Sequence, residues 1–357
     1  MPPRLPWGVT VAGMAGQGHD VLVIGAGVSG LTTGICLAEA GLSVLIRTSL
    51  PPVETTSAVA GALWGLHLVE RGERALGWGR RTLAELMGLA SNAPSTPSAP
   101  STPGAPGAPM AASGAAPATG VRVARGVQIC RPADAPPEWS GLLGGFRPCQ
   151  GGELPAGYQA GWRFAAPLVD MPVYLAYLLS RFRAAGGTVE AGTVGSLTGA
   201  ARHLRAVVNC TGAGARDLVP DPLVTPVRGQ IVVAANPGLD EFFVDDSGPP
   251  SELLYFFPHT RRVVLGGTSE RGSSDLRPDP RTGARILDRC AAIEPRLRGA
   301  EVIAHRVGLR PARPTVRAEA QRLPGGTLLC HNYGHGGAGV TLSWGCARDI
   351  AGMILHQ

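Results

Sequence analysis

The sequence predicts an α/β protein in which a Rossmann-type dinucleotide-binding domain is interleaved with an α+β substrate domain containing a mixed or antiparallel sheet. Three observations carry this. A strand, a glycine turn, a helix and a second strand follow one another within residues 20–46; β-branched strands and an amphipathic helix alternate in the middle; and a strand, a glycine-rich stretch and a helix close the chain. The 357 residues, 44% hydrophobic and 16% charged, suffice for two domains with a real core and exclude disorder.

Residues 1–18 read as an N-terminal extension without a signal-type apolar run, because Pro, Gly and Gln interrupt it, so a cytoplasmic protein is expected. Asp20–Ile24 is an apolar strand, Gly25-Ala26-Gly27-Val28-Ser29-Gly30 the turn, Leu31–Ala40 a helix closed by Gly41, and Leu42–Ile46 the next strand. Residues 91–120 are almost wholly Ser, Ala, Pro, Gly and Thr, which predicts a flexible low-complexity insert. Asp170 can cap a helix that opens with Pro172, stops at Gly186-Gly187 and packs beside the substrate domain. Arg228–Ala235 and Arg262–Gly267 read as strands and Pro280–Ile293 as a helix. At the end come a strand at Thr327–Cys330, a glycine-rich turn at His331–Gly339 and a helix over Thr341–Leu355. These elements assign 19–66, 185–216 and 301–357 to a discontinuous cofactor domain, and 67–184 with 217–300 to the substrate domain.

No apolar run approaches the ~18 residues of a membrane span, so no membrane association is expected. The formal charge of +6 comes from arginines scattered among acids, with no lysine at all, which argues against nucleic acid as a partner. Seven cysteines at 36, 130, 149, 210, 290, 330 and 346 form no C-x-x-C pair and sit in apolar segments; they read as reduced core thiols, with no metal site.

The glycines of the first turn have separate tasks: Gly25 makes the tight turn, Gly27 lets backbone approach a pyrophosphate, and Gly30 lets helix pack on strand. Ala26, Val28 and Ser29 bring N–H groups and the positive end of the helix dipole. The acidic ribose ligand expected at the end of the second strand is replaced by Arg47-Thr48-Ser49. Arg47 could meet a 2′-phosphate, which keeps an NADP-dependent reductase as an alternative, and Thr48 or Ser49 could bond ribose hydroxyls.

Further motifs narrow the choice. VIGAGVSGL, TTSAVAGALW, GWRFAAPLVDMPVYL, VVNCTGAGARDL, PVRGQIVV, YFFPH, VVLGGT, EPRL, HRVGLRPARP and HNYGHGGAGVTLSWG run from Asp20 to the C-terminus apart from the insert. In these pieces, above all GLRPARP and HNYGHGGAGVT, the chain resembles the D-amino-acid oxidase family of FAD enzymes, in its bacterial, actinobacterial-like form. The resemblance implies non-covalent FAD and the oxidative deamination of D-amino acids, neutral side chains favoured, to 2-oxo acids, ammonia and hydrogen peroxide.

Carried over by residue, the resemblance implies that Arg310 pairs with the substrate α-carboxylate, that Tyr255 donates its hydroxyl to it, and that the Gly337 carbonyl accepts from the amine. Thr55, Thr56 and Ser57 would contact the pyrophosphate, Gly61 and Ala62 the flavin, Val194 the adenine, and Thr211 the cofactor from the end of its strand. Gly336, Gly337, Gly339, Val340 and Thr341, with Arg310, would line the flavin, the last helix aiming its N-terminus at the N1–C2=O edge. The α-hydrogen would pass as hydride to flavin N5, O2 being the final acceptor, with no protein acid or base; His335 and His305 read as structural.

Several positions depart from the family pattern. Ser251 stands where vertebrate members have a second tyrosine on a loop over the site, which implies a wider pocket; Gly65 replaces a glutamine and Ala338 an aromatic. The corresponding loop, Asp245–Leu254, carries Asp245, Asp246 and Glu252 but no base, which disfavours the alternative of a D-aspartate oxidase. A non-catalytic FAD-binding protein is a third alternative, and the resemblance admits a homodimer.

Overall fold

The structure is a computed structural model and describes residues 10–11, 18–65, 72–91, 118–201, 203–245, 247–248 and 251–357. Most of the N-terminal extension and of the low-complexity insert lies outside the described residues. In chain order the elements are β1 (Thr10–Val11), β2 (Val21–Ile24), α1 (Val28–Glu39), β3 (Val44–Thr48), α2 (Glu73–Ser91), β4 (Val121–Ile129), β5 (Arg147–Pro148) and β6 (Gly161–Val169). There follow α3 (Met171–Ala184), β7 (Thr188–Ala191), α4 (Leu197–Ala200), β8 (Ala206–Asn209), α5 (Ala215–Leu218), β9 (Thr225–Ala235), β10 (Phe242–Asp245) and β11 (Glu252–Pro258). The chain ends with β12 (Arg262–Thr268), β13 (Glu270–Arg271), α6 (Pro280–Ile293), β14 (Val302–Arg322), β15 (Leu328–His335) and α7 (Gly339–Leu355).

All the strands join one sheet in the order β1-β7-β3-β2-β8-β15-β14-β9-β12-β11-β10-β4-β6-β5, with β13 added to β9. From β1 to β15 every pair is parallel; from β15 to β11 every pair is antiparallel. The parallel half is the Rossmann-type part: β2, β3 and β8 are buried throughout, as strands covered on both faces must be. The two halves meet in β14, whose first part pairs with β9 and whose last part pairs with β15.

Four local expectations need correction. The glycine-rich turn at His331–Gly339 is strand as far as His335, because β14 supplies a partner for it: Ala312 pairs with His335 and Arg317 with Tyr333. Only Gly336 to Ala338 turns, and α7 starts at Gly339. Asp170 occupies the N-cap of α3 but makes no cap bond. Its carboxylate pairs with Arg262 of β12 and lies 4.0 Å from His259, a charged partner outcompeting backbone N–H groups. Finally, α3 does not pack beside the substrate half alone. Its stripe of Tyr174, Leu175, Leu178 and Phe182 is buried in the main core, Phe182 lies over Gly34 of α1, and the Trp344 indole donates to the Tyr174 hydroxyl at 2.7 Å. The second strand is also displaced, to Val44–Thr48, which brings Arg47 and Thr48 into the sheet.

Candidate active site

A cleft of about 640 Å³ runs along the ends of the parallel strands and across the junction at β14. This is where open α/β sheets bind ligands, and its size is that of a cofactor site.

At one end the β2–α1 turn forms the floor. Gly25 has φ +103°, and a Cβ there would also stand 2.7 Å from the Cys210 carbonyl oxygen, so only glycine fits. The Val28 N–H, at the positive end of α1, donates to Ser57 Oγ at 3.0 Å. A methyl added at Gly27 would come within 3.1 Å of Ser57 Oγ and 3.9 Å of Thr55 Oγ1, which places both hydroxyls over the turn. Ala26, Val28 and Ser29 line the cleft. Gly30 does not: its Cβ would lie 1.9 Å from the Gly25 carbonyl oxygen, so its small size serves helix packing and not ligand contact. Thr56 is exposed and lines the opposite wall, beside Gly308.

The ribose position gives Arg47 a protein partner in place of the expected 2′-phosphate. Arg47 lines the cleft, but its Nη2 donates to Glu190 of β7 at 2.7 Å. A 2′-phosphate would meet that carboxylate beside the guanidinium, which removes the reason for an NADP enzyme. The Arg47 Nε is buried without a protein partner in the cleft wall, a donor left for a ligand. Thr48 donates its hydroxyl to the Leu50 carbonyl, and its own carbonyl accepts from the Gly192 N–H, next to Thr193 and Val194 on the same wall. Thr211 lines the cleft between the two ends, its hydroxyl donating to Asn209 Oδ1 at 2.7 Å.

At the other end stand Arg310 and Tyr255. Arg310 sits on β14 opposite Val227, two residues before the strand passes from β9 to β15. Its Nη1 donates to the Thr268 carbonyl at 3.0 Å, and the Tyr255 phenol lies close enough to feel its charge. Burial raises the Tyr255 phenol and the neighbouring Arg310 opposes this, leaving the net shift upward, so the hydroxyl stays protonated and able to donate. The Tyr255 ring stacks on Phe257 at 4.6 Å, and Gly61 packs against both rings.

Two glycines in strands make room for this pair. A Cβ at Gly229 would lie 2.3 Å from Arg310 Nη1, and a Cβ at Gly266 would lie 1.8 Å from Tyr255 Cζ. Sequence reasoning missed both, although a glycine inside a β-branched run, as in RGQIVV and VVLGG, signals that another group approaches closely. Beside Gly229, the buried Arg228 donates to Glu270, Gln230 and the carbonyls of Asp275 and Arg277, pinning the loop that brings Leu276 to the rim of the cleft.

The turn after β15 completes the site. Gly336 has φ +54° and donates its N–H to the Pro311 carbonyl at 2.9 Å, tying the turn to the strand of Arg310. Gly337 is exposed on the cleft, and Gly339 and Val340 open α7 beside it. Thr341 also lines the cleft, but its hydroxyl is engaged with the Gly65 carbonyl at 3.0 Å, where it fastens α7 to the segment carrying Gly61 and Ala62. Ala62 lines the cleft at φ +52°, held in this costly conformation by the Val169 N–H on its carbonyl. His335 lines the cleft, buried, with Nε2 3.1 Å from Asn332 Oδ1; burial lowers its pKa to about 4, so it is neutral. His305 lies elsewhere, against Gly283 of α6.

Ser251 is exposed and not among the lining residues; Leu253 and Val244 form that wall. Of the acids in the loop, Asp245 accepts from the Tyr158 hydroxyl at 2.7 Å, Glu252 pairs with Arg289 at 2.9 Å, and Asp246 lies outside the described residues. Among the described residues, Arg47, Glu54 and Arg310 are the charged residues of the lining.

The arrangement suits a long ligand with a dianionic middle and an apolar planar end: helix N–H groups and hydroxyls at the β2–α1 turn, an unpartnered Arg47 Nε, and small residues at 61, 62 and 336–339. Comparison with known proteins agrees. The family described as FAD dependent oxidoreductase matches residues 20–353. The chain is 47% identical over 333 residues to a D-amino-acid oxidase of Rubrobacter xylanophilus, covering 93% of this chain and 94% of that one. It is 44% identical over 333 residues to a D-amino-acid oxidase of Streptomyces coelicolor (93% and 95%) and 33% identical over 349 residues to the D-aspartate oxidase of Homo sapiens (94% and 94%). The fold is that of a glycine oxidase from Geobacillus kaustophilus, with a TM-score of 0.73 at 21% identity over 95% of each chain. With its phosphate turn, its dinucleotide-sized cleft and this match over nearly its full length, the chain belongs to the FAD-dependent oxidoreductase family.

Proposed function

We propose that the protein is an FAD-dependent D-amino-acid oxidase that converts a D-amino acid, water and O2 to a 2-oxo acid, ammonia and hydrogen peroxide. The observation that carries this reading is the Arg310–Tyr255 pair standing in the same cleft as the phosphate turn, in a chain 44% identical to the Streptomyces oxidase. FAD, when bound, supplies the acceptor for the α-hydrogen and the two electrons that reach O2.

The residues of the chain then do the following. Arg310, with Nη1 spent on Thr268, presents its remaining N–H groups to the α-carboxylate, and the Tyr255 hydroxyl donates beside them. The Gly337 carbonyl accepts from the amine. With carboxylate and amine both fixed, the α-hydrogen of one enantiomer alone faces inward, and this orientation is the main contribution to the rate. Ile231, Val244, Leu253 and Phe257 give the substrate end apolar walls that exclude water. The opening turn of α7 supplies N–H groups and dipole where negative charge develops. No proton need be held by His335, which burial keeps neutral.

Neutral side chains are the favoured substrates, because Arg47 and Glu54 belong to the cofactor end and Arg310 is committed to the α-carboxylate. Residues 19–66, 185–216 and 301–357 form the cofactor half of this reading, and 67–184 with 217–300 the substrate half. No helix among the described residues is long and apolar enough to cross a membrane. A cytoplasmic location and a homodimer complete the proposal.

The test is anaerobic mixing of the purified protein with neutral, acidic and basic D- and L-amino acids while oxidised-flavin absorbance is followed. Bleaching by neutral D-isomers is expected; a yellow protein that none of them bleaches would overturn the reading.

A further inference from the structure

Behind the site lies a buried polar cluster for which the reaction has no use. Asp221, whose side chain is 5% exposed, accepts from the Tyr333 hydroxyl at 2.8 Å and from Arg313 Nε at 3.1 Å, and lies 3.7 Å from Arg317 Nη1. Arg317 Nη1 also donates to the Tyr333 hydroxyl oxygen at 2.7 Å. Burial raises the Asp221 carboxyl, but the Tyr333 hydroxyl, the Leu223 N–H and Arg313 outweigh it and hold the carboxyl below its ordinary value, so the cluster keeps a carboxylate at its centre.

Its position gives it a task. The pairing of β14 with β15 is interrupted between Ala312 and Arg317, so residues 313–316 have no ladder partner there. Arg313 begins this irregularity and Arg317 follows it, Tyr333 stands opposite on β15, and Asp221 bonds to both strands. Immediately beyond, Arg310 stands on β14 and Gly337 follows the end of β15, the two segments joined by the Ala312–His335 pair and by the Gly336 N–H donating to the Pro311 carbonyl. The stem of Arg313 also lies 3.0 Å from the position of a Cβ on Gly334, which holds the strand end at its left-handed residue, φ +84°.

We infer that Asp221, with Tyr333 and Arg313, is a positioning brace that sets the separation between the carboxylate-holding Arg310 and the amine-holding carbonyl of Gly337. The inference rests on the proposed reaction, which assigns those two holding points. A ligand that uses both points feels their separation; one that uses Arg310 alone does not.

The experiment compares D-alanine with propionate, which differs from it by the missing amine, on the flavin-loaded wild type and on Tyr333→Phe. KM and kcat are measured for D-alanine, and the dissociation constant of propionate is read from its perturbation of flavin absorbance. For Tyr333→Phe the KM for D-alanine should rise about tenfold and kcat should fall, while propionate binding shifts by less than about threefold. If Tyr333→Phe does not retain flavin, the same ratio is read on Arg313→Lys, which keeps the charge and the stem but loses the planar fork. Equal shifts for both ligands, or no shift in either, would overturn the brace. A wild type that no D-amino acid reduces would instead overturn the reaction on which it rests.

Discussion

Substituting Gly229 by alanine tests the carboxylate clamp without touching either residue of it. The new methyl would sit 2.3 Å from Arg310 Nη1 and 2.6 Å from both Cζ and Nη2, against an ordinary contact of about 3.4 Å. Relief requires the guanidinium to lift by about 1 Å, and because it ends a flexible side chain, β9 and β14 need not move. The Nη1–Thr268 bond, 3.0 Å in length, is then broken. Folding should change by less than about 1 kcal/mol, since alanine in a strand is otherwise the better residue. Misplacing a positioning group by about 1 Å costs roughly 10²-fold in rate, or about 2.7 kcal/mol of transition-state stabilisation. The assay is steady-state peroxide production with thermal melting and flavin content as controls. A variant with full flavin, a wild-type melting temperature and kcat/KM within about threefold of wild type would refute the placement of Arg310 as the clamp.

Two further outcomes concern stability. Burial lowers His259, His331 and His335 from 6.5 to about 4, so between those values the unfolded chain binds protons that the folded chain refuses. Stability is therefore fully present above pH 6.5 and is lost as pH falls toward 4, at up to about 1.4 kcal/mol per pH unit for each histidine; a denaturation midpoint that stays flat from pH 7 to pH 5 would contradict this. Replacing Glu190 by glutamine leaves Arg47, whose side chain is 10% exposed, without its counter-charge. The cost should be about 1–3 kcal/mol in the apoprotein, read as a lowered melting temperature after flavin removal, and an unchanged melt would show that the pair is not coupled to folding.

Much of this was legible in the chain because it depends on local chemistry. The β2–α1 turn follows from glycine spacing, and α6 runs over Pro280–Ile293 as its periodicity predicts. What was not legible depends on partners distant in sequence. The stretch from His331 to His335 reads as a turn by its glycines and becomes strand because β14 pairs with it. Asp170 reads as a cap and is claimed by Arg262, ninety-two residues away. Arg47 reads as a phosphate ligand until Glu190, on a strand that only the fold brings beside it, takes its guanidinium. Gly229 and Gly266 were on view in their motifs, but a missing side chain does not say which group fills its place.

The sharing of β14 between both halves of the sheet bears on how substrate enters. Many two-domain enzymes close by rotating one lobe against the other about a few hinge residues that absorb the change in backbone angles. Here the two halves are joined through β14, whose first part, residues 302–312, pairs with β9 and whose last part, residues 317–322, pairs with β15. Such a rotation would shear the ladder at Arg310 itself, so clamp and phosphate turn behave as one rigid casting. Access is left to the peripheral loop between β13 and α6, which brings Leu276 to the rim of the cleft. Adapting the proposed site to bulkier substrates is then a matter of remodelling that loop, while the casting is left alone.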